Sequence, residues 1–295
     1  MRKCAPGVMS RPPESTRVSG ESHEPPRISV WLLVALTIAA LAVAADPRFA
    51  TSALSVRLDA LPPIAAVNLV FGAIAVAIGG LSVSGALAGV ATGIVLTSAF
   101  GWGGWLLLAA TFGLTVGTTR FGRHRKAGLG IAQERDGRRS ANHVIANTGM
   151  ATAAAALAVL SPVGTAGSIA AAAALATSAG DTAASEIGKA WPGRTWSLPL
   201  FKQVPAGTTG AISAAGTAAG AIGATVLACV AGAGGLLPSG SHVMVVAVAA
   251  TTALVAEGVI AVVLERRGWL DNDGVNFVGS ALGAGLALLC TAAVG

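Results

Sequence analysis

The sequence predicts an all-α protein, a polytopic membrane bundle of about eight or nine transmembrane helices. Of its 295 residues, 54% are hydrophobic and only 11% are charged, and the mean hydropathy is +0.72. The apolar runs are continuous and do not alternate, and about 20 apolar residues suffice to cross a bilayer as a helix. The 39 glycines are typical of membrane helices whose backbones approach closely.

The N-terminal part of the chain adds a tail and one further helix. Residues 1–27 combine arginines with prolines and glutamates, which predicts a disordered cytoplasmic tail. Residues 28–45 are apolar and end in a motif similar to a signal-peptide cleavage site. Because the chain goes on to cross the membrane, we interpret this run as an uncleaved first helix. Residues 28–63 then connect the tail to an integral membrane domain at 64–295.

The remaining apolar segments are separated by three polar loops, at 118–142, 181–208 and 265–276. The segments lie at about 64–82, 84–100, 102–118, 144–160, 163–180, 209–237, 242–264 and 277–294. The first polar loop is strongly basic, so the positive-inside rule makes it cytoplasmic. Two crossings separate each loop from the next, which predicts that all three lie on the cytoplasmic face, at the plasma membrane if the cell is prokaryotic.

Cysteine usage and charge argue against several classes of site and partner. Cys4, Cys229 and Cys290 are far apart and form no C-x-x-C pair, so we expect neither a disulfide framework nor a metal cluster built from cysteines. The formal net charge of +6 resides mostly in loops. It therefore indicates membrane orientation, and we predict no nucleic-acid partner.

The first polar loop leads into a polar stripe. Arg139, His143 and Asn147 follow one another at intervals of four residues, so they share one face of a helix. A polar stripe entering an apolar helix faces protein or water. We interpret the other basic residues of this loop as orientation signals, and we take Arg139 as a candidate site residue.

The second loop begins with the stretch TSAGDTAASEIGKAW at 177–191. If this stretch is helical, Asp181, Ser185 and Gly188 share a face, and Glu186 lies roughly 140° round from Asp181. The neighbouring small residues would let a bulky ligand approach the backbone. The alternative is a solvated loop in which Asp181 caps a short helix.

A Gly/Thr turn follows on the same predicted face. Pro205 and Gly207 are predicted to make a turn, after which Thr208, Thr209 and Gly210 open the long apolar helix at 209–237. A helix N-terminus with free N–H groups and hydroxyls binds anions, and Lys202 adds positive charge just upstream. The Walker A spacing is absent, and a simple helix cap is the alternative.

The third loop and the helix before it carry further carboxylates. Asp271, Asn272 and Asp273 present alternating oxygen ligands, which suit Mg²⁺. A turn with an Asp or Asn cap is the alternative. Glu257 lies inside the apolar segment 242–264, where an ionisable group indicates a functional site by default. A structural pairing with a nearby arginine is the other interpretation.

The motifs SAGDTAASEIGK, VPAGTTGAIS and WLDNDGVNF resemble signatures of the integral membrane family called domain of unknown function 92. This family includes transmembrane protein 19 and plant phytyl-phosphate kinase. The resemblance extends from about residue 64 to the C-terminus, with His143 and Glu257 in place of the usual Gln and Asp. It implies phosphoryl transfer and points to eight residues: Asp181, Ser185, Glu186, Gly207, Thr208, Asp271, Asn272 and Asp273.

Together these features predict a Mg²⁺-dependent kinase that transfers a phosphoryl group from a nucleoside triphosphate, CTP or ATP, to an isoprenyl phosphate. The predicted partners are the membrane, a lipid substrate and a nucleotide. The alternatives are a small-solute transporter or channel lined by Glu257 and Asn147, and a structural membrane protein without catalysis. The predicted roles are catalysis by Asp181, Glu186 and Arg139, nucleotide binding by Ser185, Lys202 and 207–210, and metal binding by Asp181, Glu257, Asp271 and Asp273.

Overall fold

The computed structural model describes residue 29 and residues 60–132, 137–160, 164–191, 193–198 and 200–294. The predicted tail at 1–27 lies outside the described residues, as do almost all of the predicted first helix and its connection. The basic residue Arg135 of the first polar loop also lies outside them. The described chain begins with the segment that leads into the predicted membrane domain.

The described residues form a helical membrane bundle with one small sheet, which confirms the predicted fold class. Five of its helices are long and apolar enough to cross a membrane. The elements are α1 (Leu61–Ala77), α2 (Val83–Arg120), α3 (Arg123–Gly128), α4 (Ala141–Leu160), α5 (Gly164–Ala190), β1 (Thr195–Ser197), β2 (Lys202–Gln203), β3 (Ala211–Ser213), α6 (Ala214–Ala233), α7 (Gly240–Ile260, continued by a π-helical turn Ala261–Glu265) and α8 (Asn272–Val294).

Helix α2 is a hairpin of two arms that turns back at Gly101. This residue has φ 63° and ψ −154°, a conformation essentially restricted to glycine. The two ends of α2 meet the same residue: the Ser82 N–H donates to the Arg139 carbonyl oxygen at 3.0 Å, and Arg139 Nη2 donates to Thr119 Oγ1 at 3.0 Å. The predicted segments 84–100 and 102–118 are therefore two separate arms.

Helix α5 is the central helix of the bundle. It contacts α2, α4, α6, α7 and α8, and its residues from 167 to 180 are all buried. The run of alanines at 170–174 lies in the largest hydrophobic cluster of the described chain. The predicted helix at 163–180 was too short, because α5 continues to Ala190. Asp181 consequently lies within a helix and not in a loop.

Small residues bring the backbones of α5 and α6 together. A Cβ placed on Gly180 would lie 3.0 Å from the Gly220 carbonyl oxygen, and one on Gly216 would lie 2.6 Å from the Ala184 carbonyl oxygen. Such approaches require glycine and allow close van der Waals packing in a membrane. The polar part of α5 is thereby held directly against the first turns of α6.

The prediction that the Gly/Thr turn opens the long apolar helix was wrong. Gly207 and Gly210 both have positive φ, at 85° and 68°, and this conformation interrupts a helix. The chain instead forms β3, which pairs with β1 in a three-stranded antiparallel sheet of order β2-β1-β3. Helix α6 starts only afterwards, where the Ser213 hydroxyl accepts from the Gly216 N–H at 3.1 Å.

Candidate functional site

The three polar loops meet at one end of the bundle. The buried Lys126 of α3 pairs with a carboxylate of α5, an arginine after α7 binds the Gly/Thr turn, and a histidine of α4 pairs with an aspartate of α8. These contacts are Lys126–Glu186, Arg266–Thr209 and His143–Asp273. The polar residues that the sequence placed on one face therefore lie close together in the structure.

A cavity of about 270 Å³ lies where these loops meet. Its walls come from α4, α5, α6, α7 and α8, and the turn before β3 covers its polar end. Helices therefore fix most of its side chains, which favours a preformed site. Nine of the predicted site residues line it: Arg139, Asp181, Ser185, Gly207, Thr208, Thr209, Gly210, Glu257 and Asn272.

Arg139 brings an incompletely paired positive charge to the cavity. Its backbone N–H donates to the Gly80 carbonyl oxygen at 3.1 Å, so the residue is held at the start of α4. Its side chain is only 9% exposed. Among the described residues, Nη2 binds Thr119 and the buried Nη1 has no hydrogen-bond partner. Burial lowers the pKa of Arg139 to about 10, although the charge of Glu186 raises it, so the guanidinium remains protonated at neutral pH. An unpaired buried donor of this kind is satisfied by an anion.

The face of α5 predicted to carry ligand contacts is the one that lines the cavity. Asp181, Ser185 and Gly188 all line it, at the spacing of successive helical turns. Lys189 lines the cavity as well, so one helix presents both a carboxylate and an ammonium group. The predicted helical face is therefore present, although the helix that carries it is longer than expected.

Glu186 points away from the cavity into a buried ion pair. Its Oε2 pairs with Lys126 Nζ, and both side chains are almost completely buried. Lys189 Nζ lies 3.7 Å from Glu186 Oε1, and Lys126 Nζ also donates to the Thr119 carbonyl oxygen at 2.7 Å. From the sequence we interpreted Lys126 as an orientation signal. It belongs to a run of basic residues, and nothing in that run indicates that one of them is buried.

Glu257 faces the cavity from α7, opposite Asp181. It is 5% exposed, and in the amide orientation that satisfies its neighbours Asn276 donates to Glu257 Oε1 at 3.2 Å. A side chain at Gly279 would collide with the Glu257 carboxylate. The negative charges of Asp181 and Glu257 repel one another. Glu265 also lines the cavity, and its spacing of eight residues from Glu257 could have identified it.

The two aspartates of the third loop do not line this cavity. Asp271 is exposed, and its Oδ1 accepts from the Gly274 N–H at 2.8 Å as the cap of α8. Asp273 Oδ1 lies 3.0 Å from His143 Nδ1. Within the described residues no group of three or more His, Cys, Asp or Glu side chains is arranged to hold a metal ion. The four predicted metal ligands thus divide into two inside the cavity and two outside it.

The Gly/Thr turn lies over the cavity and is held from below by α7. Gly210 approaches Gly258 so closely that a Cβ on Gly210 would lie 2.7 Å from the Gly258 carbonyl oxygen. Arg266 Nη2 donates to the Thr209 carbonyl oxygen at 3.0 Å. Lys202 is exposed on β2 and does not line the cavity. The turn is consequently fixed by backbone contacts, without the help of the predicted lysine.

The polar stripe of α4 also reaches the centre of the bundle. His143 lines the cavity, and Asn147 Oδ1 accepts from the Ser178 hydroxyl at 2.8 Å. The Asn147 amide donates to the His143 carbonyl oxygen at 2.7 Å. The stripe therefore faces protein, as its position in an apolar helix predicts.

Comparison with known proteins identifies relatives across the membrane domain. The family described as "Integral membrane protein DUF92" matches residues 66–284. An uncharacterized membrane protein of Synechocystis sp. is 34% identical over 200 residues, which cover 66% of this chain and 77% of that protein. The chloroplastic protein VTE6 of Arabidopsis thaliana is 33% identical over 218 residues, 71% of this chain and 65% of VTE6, so this chain spans slightly less than two thirds of VTE6. No solved structure matches.

Proposed function

Because this chain belongs to the integral membrane protein family DUF92, we propose that it transfers a phosphoryl group from a nucleoside triphosphate to an isoprenyl phosphate. This is the activity implied by the motifs shared with the family that includes plant phytyl-phosphate kinase. The reaction would take place at the polar end of the bundle, on the cytoplasmic side.

The observation that carries the proposal is the nearly buried guanidinium of Arg139, whose Nη1 has no hydrogen-bond partner among the described residues, beside a cavity that Arg139 lines together with carboxylates. Phosphoryl transfer depends mainly on positioning and on stabilising negative charge on the phosphate oxygens. Arg139 supplies a fixed positive charge, and Lys189 adds a second one on the cavity wall. The polar turn at 207–210 closes over the same space. Two phosphate-bearing substrates find complementary charge there.

The donor set of the cavity fits Mg²⁺ delivered with the nucleotide. Mg²⁺ commonly uses one or two carboxylates together with phosphate oxygens and water. Asp181 and Glu257 supply two carboxylates whose mutual repulsion is relieved by a cation between them. They would hold the metal, and Mg²⁺ would neutralise charge on the nucleotide phosphates. The cap role of Asp271 and the pairing of Asp273 with His143 support a metal site without them.

The proposed transfer exchanges one phosphorus–oxygen bond for another. An oxygen of the lipid phosphate forms a bond to the γ-phosphorus, while the bond from that phosphorus to the β–γ bridging oxygen breaks. The nucleoside diphosphate leaves, and the lipid diphosphate is the product. A proton on the attacking phosphate passes to water before the attack, because Asp181 and Glu257 would be occupied by the cation.

The packing of the opposite half of the bundle favours catalysis over a pore. Below the cavity, α5 is surrounded by the hydrophobic cluster that includes Leu96, Leu107 and Leu227, each 0% exposed. A close-packed interior of this kind transmits little solute. The carboxylates therefore face a pocket that is closed on one side, as a substrate site requires.

A direct transfer assay tests the proposal. The protein is reconstituted in lipid nanodiscs with γ-labelled CTP or ATP, Mg²⁺ and either phytyl or geranylgeranyl monophosphate. We expect label in the lipid diphosphate and none when the lipid phosphate is omitted. Folded protein that transfers label to neither lipid from either nucleotide would refute the proposed function.

A further inference from the structure

The cavity extends along α7 well below the polar loops. Its lining on this helix runs from Glu265 near the end of α7 down to Thr251, a stretch of helix about 20 Å long. The lining becomes less polar toward the deep end, where Leu254 and Val255 replace the carboxylates. One continuous space thus connects the charged site with the apolar level of the bundle.

Helix α7 is contacted by α6 at this deep end and by the Gly/Thr turn at the polar end. On the inner side, a Cβ on Gly220 would lie 3.1 Å from Leu254 Cδ1. At the polar end, Gly210 lies against Gly258. Between these two contacts, Thr217 of α6 and Val255 of α7 line the cavity, and both residues are exposed, Val255 by 45%. An opening at this level of two membrane-spanning helices would face the hydrocarbon of the bilayer.

We propose that the lipid phosphate enters the site sideways through this opening between α6 and α7. This proposal rests on the proposed function. The phosphate moves to Arg139 and Asp181, and the apolar chain remains between Thr217 and Val255 and continues into the bilayer. A charged head and an apolar chain thereby each remain in their preferred surroundings during catalysis.

This arrangement has a consequence for substrate choice. Beyond its first isoprene units such a chain lies in the bilayer, so no protein wall limits its length. The enzyme therefore accepts isoprenyl phosphates of very different length with similar efficiency. Selectivity comes from the groups next to the phosphate, since only these contact the opening.

A second cavity provides the competing location for the chain. It measures about 70 Å³, lies between α1, α2, α4 and α5, and is lined largely by apolar groups such as Phe71 and Phe112. Arg139 and His143 line both cavities. The small volume of this cavity would restrict the length of a chain held there. The two locations therefore predict opposite effects of chain length.

Matched tryptophan variants distinguish the two locations. V255W narrows the proposed opening, and V248W places the same side chain two turns away on α7, at a position that is 58% exposed and does not line the cavity. We expect V255W to raise the KM for geranylgeranyl phosphate by about tenfold or more with little change in the KM for the nucleotide. V248W and G89L, which fills the second cavity, should behave like the wild type. T217L provides a second obstruction if V255W does not fold.

Photo-crosslinking gives a readout that does not need catalysis. Geranylgeranyl phosphate with a diazirine near its phosphate should label α6 and α7 around Thr217 and Val255. Labelling of Phe71 or Phe112, with V255W kinetically normal, would overturn the opening and leave the kinase proposal intact. Labelling at α6 and α7 without any phosphoryl transfer would retain the opening and refute the kinase. A wild-type protein that is neither labelled nor active would refute both.

Discussion

Lys126 and Glu186 form an ion pair in which neither side chain is more than 1% exposed. The pair joins α3, in the basic loop, to the central helix α5. Charges taken out of water gain stability only when well paired, and removing one partner leaves a costly buried charge. The pair therefore acts as the connection between the loop and the helix that carries Asp181.

Removing one partner of this ion pair should destabilise the protein. We expect K126A and E186A each to lower the free energy of unfolding by about 3–5 kcal/mol, measured by denaturant titration in micelles. The double variant K126M/E186L should regain most of this loss, because it removes both buried charges and deprives only the partly exposed Lys189 of a partner. The double variant also tests the predicted catalytic role of Glu186. A folded but inactive double variant would support that role, and an active one would contradict it.

Arg139 is expected to determine how well the lipid phosphate reacts. R139K keeps the positive charge and loses the unpaired Nη1, so we expect kcat/KM to fall by about 100- to 1,000-fold. R138K is the matched control, because Arg138 is the exposed neighbour and does not line the cavity. Equal effects of the two substitutions in the transfer assay would show that Arg139 has no specific role.

The charge of Arg139 should also set an upper pH limit for substrate binding. Burial lowers the pKa of this guanidinium to about 10, and the charged form is the one that binds phosphate. The contribution to affinity is therefore complete at neutral pH and is lost as the pH rises through about 10. We expect a step at this pH in the lipid-phosphate affinity of the wild type. The step should be absent in R139M, and its persistence there would assign it to another group.

Substitution of Asp181 should slow phosphoryl transfer, whereas substitution of Asp271 should lower the stability of the protein. D181N removes a carboxylate from the cavity, so we expect the protein to remain folded, to need much more Mg²⁺ and to transfer label at least about 100-fold more slowly. D271A removes a helix cap and should cost about 1 kcal/mol of stability with transfer retained. Mg²⁺ titrations of both variants, together with thermal unfolding, check this contrast. Loss of catalysis in D271A without loss of stability would restore the metal role predicted for Asp271.

The hairpin of α2 depends on the backbone conformation of one glycine. At Gly101 any other residue is strained, so G101A should destabilise the protein by about 1–3 kcal/mol. Gly113 lies inside the second arm of α2, and a Cβ there has no neighbour within 4 Å, so G113A should be neutral or stabilising by up to about 1 kcal/mol. Thermal unfolding of the two alanine variants in the same detergent tests the difference. An equally stable G101A would contradict the hairpin.

Hydropathy and charge were sufficient to predict the membrane bundle and the order of its helices. The break between the predicted segments 84–100 and 102–118 is confirmed at Gly101. Counting crossings placed the three polar loops together, and the contact between Arg266 and Thr209 shows that they meet. Local patterns carried this information because each apolar run is long enough to cross the bilayer as a helix.

Local sequence patterns could not predict which partner each carboxylate would contact. Asp181, Glu186 and Asp271 are chemically similar in sequence, but one lines the cavity, one pairs with a buried lysine and one caps a helix. Lys126 is buried because α3 packs against α5, and residue spacing in the sequence does not predict that packing. The Gly/Thr turn was misplaced for a related reason. A glycine with positive φ ends a helix, but its φ is known only once the strand beside it is known.

The burial of α5 has a consequence for how the protein enters the membrane. This helix is not among the five that are apolar enough to cross a bilayer by composition, because its alanines, serines and glycines are selected to pack against protein. An isolated segment of this kind partitions weakly from the translocation channel into lipid. We therefore expect α5 to be retained near the channel until α6 emerges behind it, so that the pair enters as a unit. Assembly of the cavity would then follow the same glycine contacts that hold the finished bundle together.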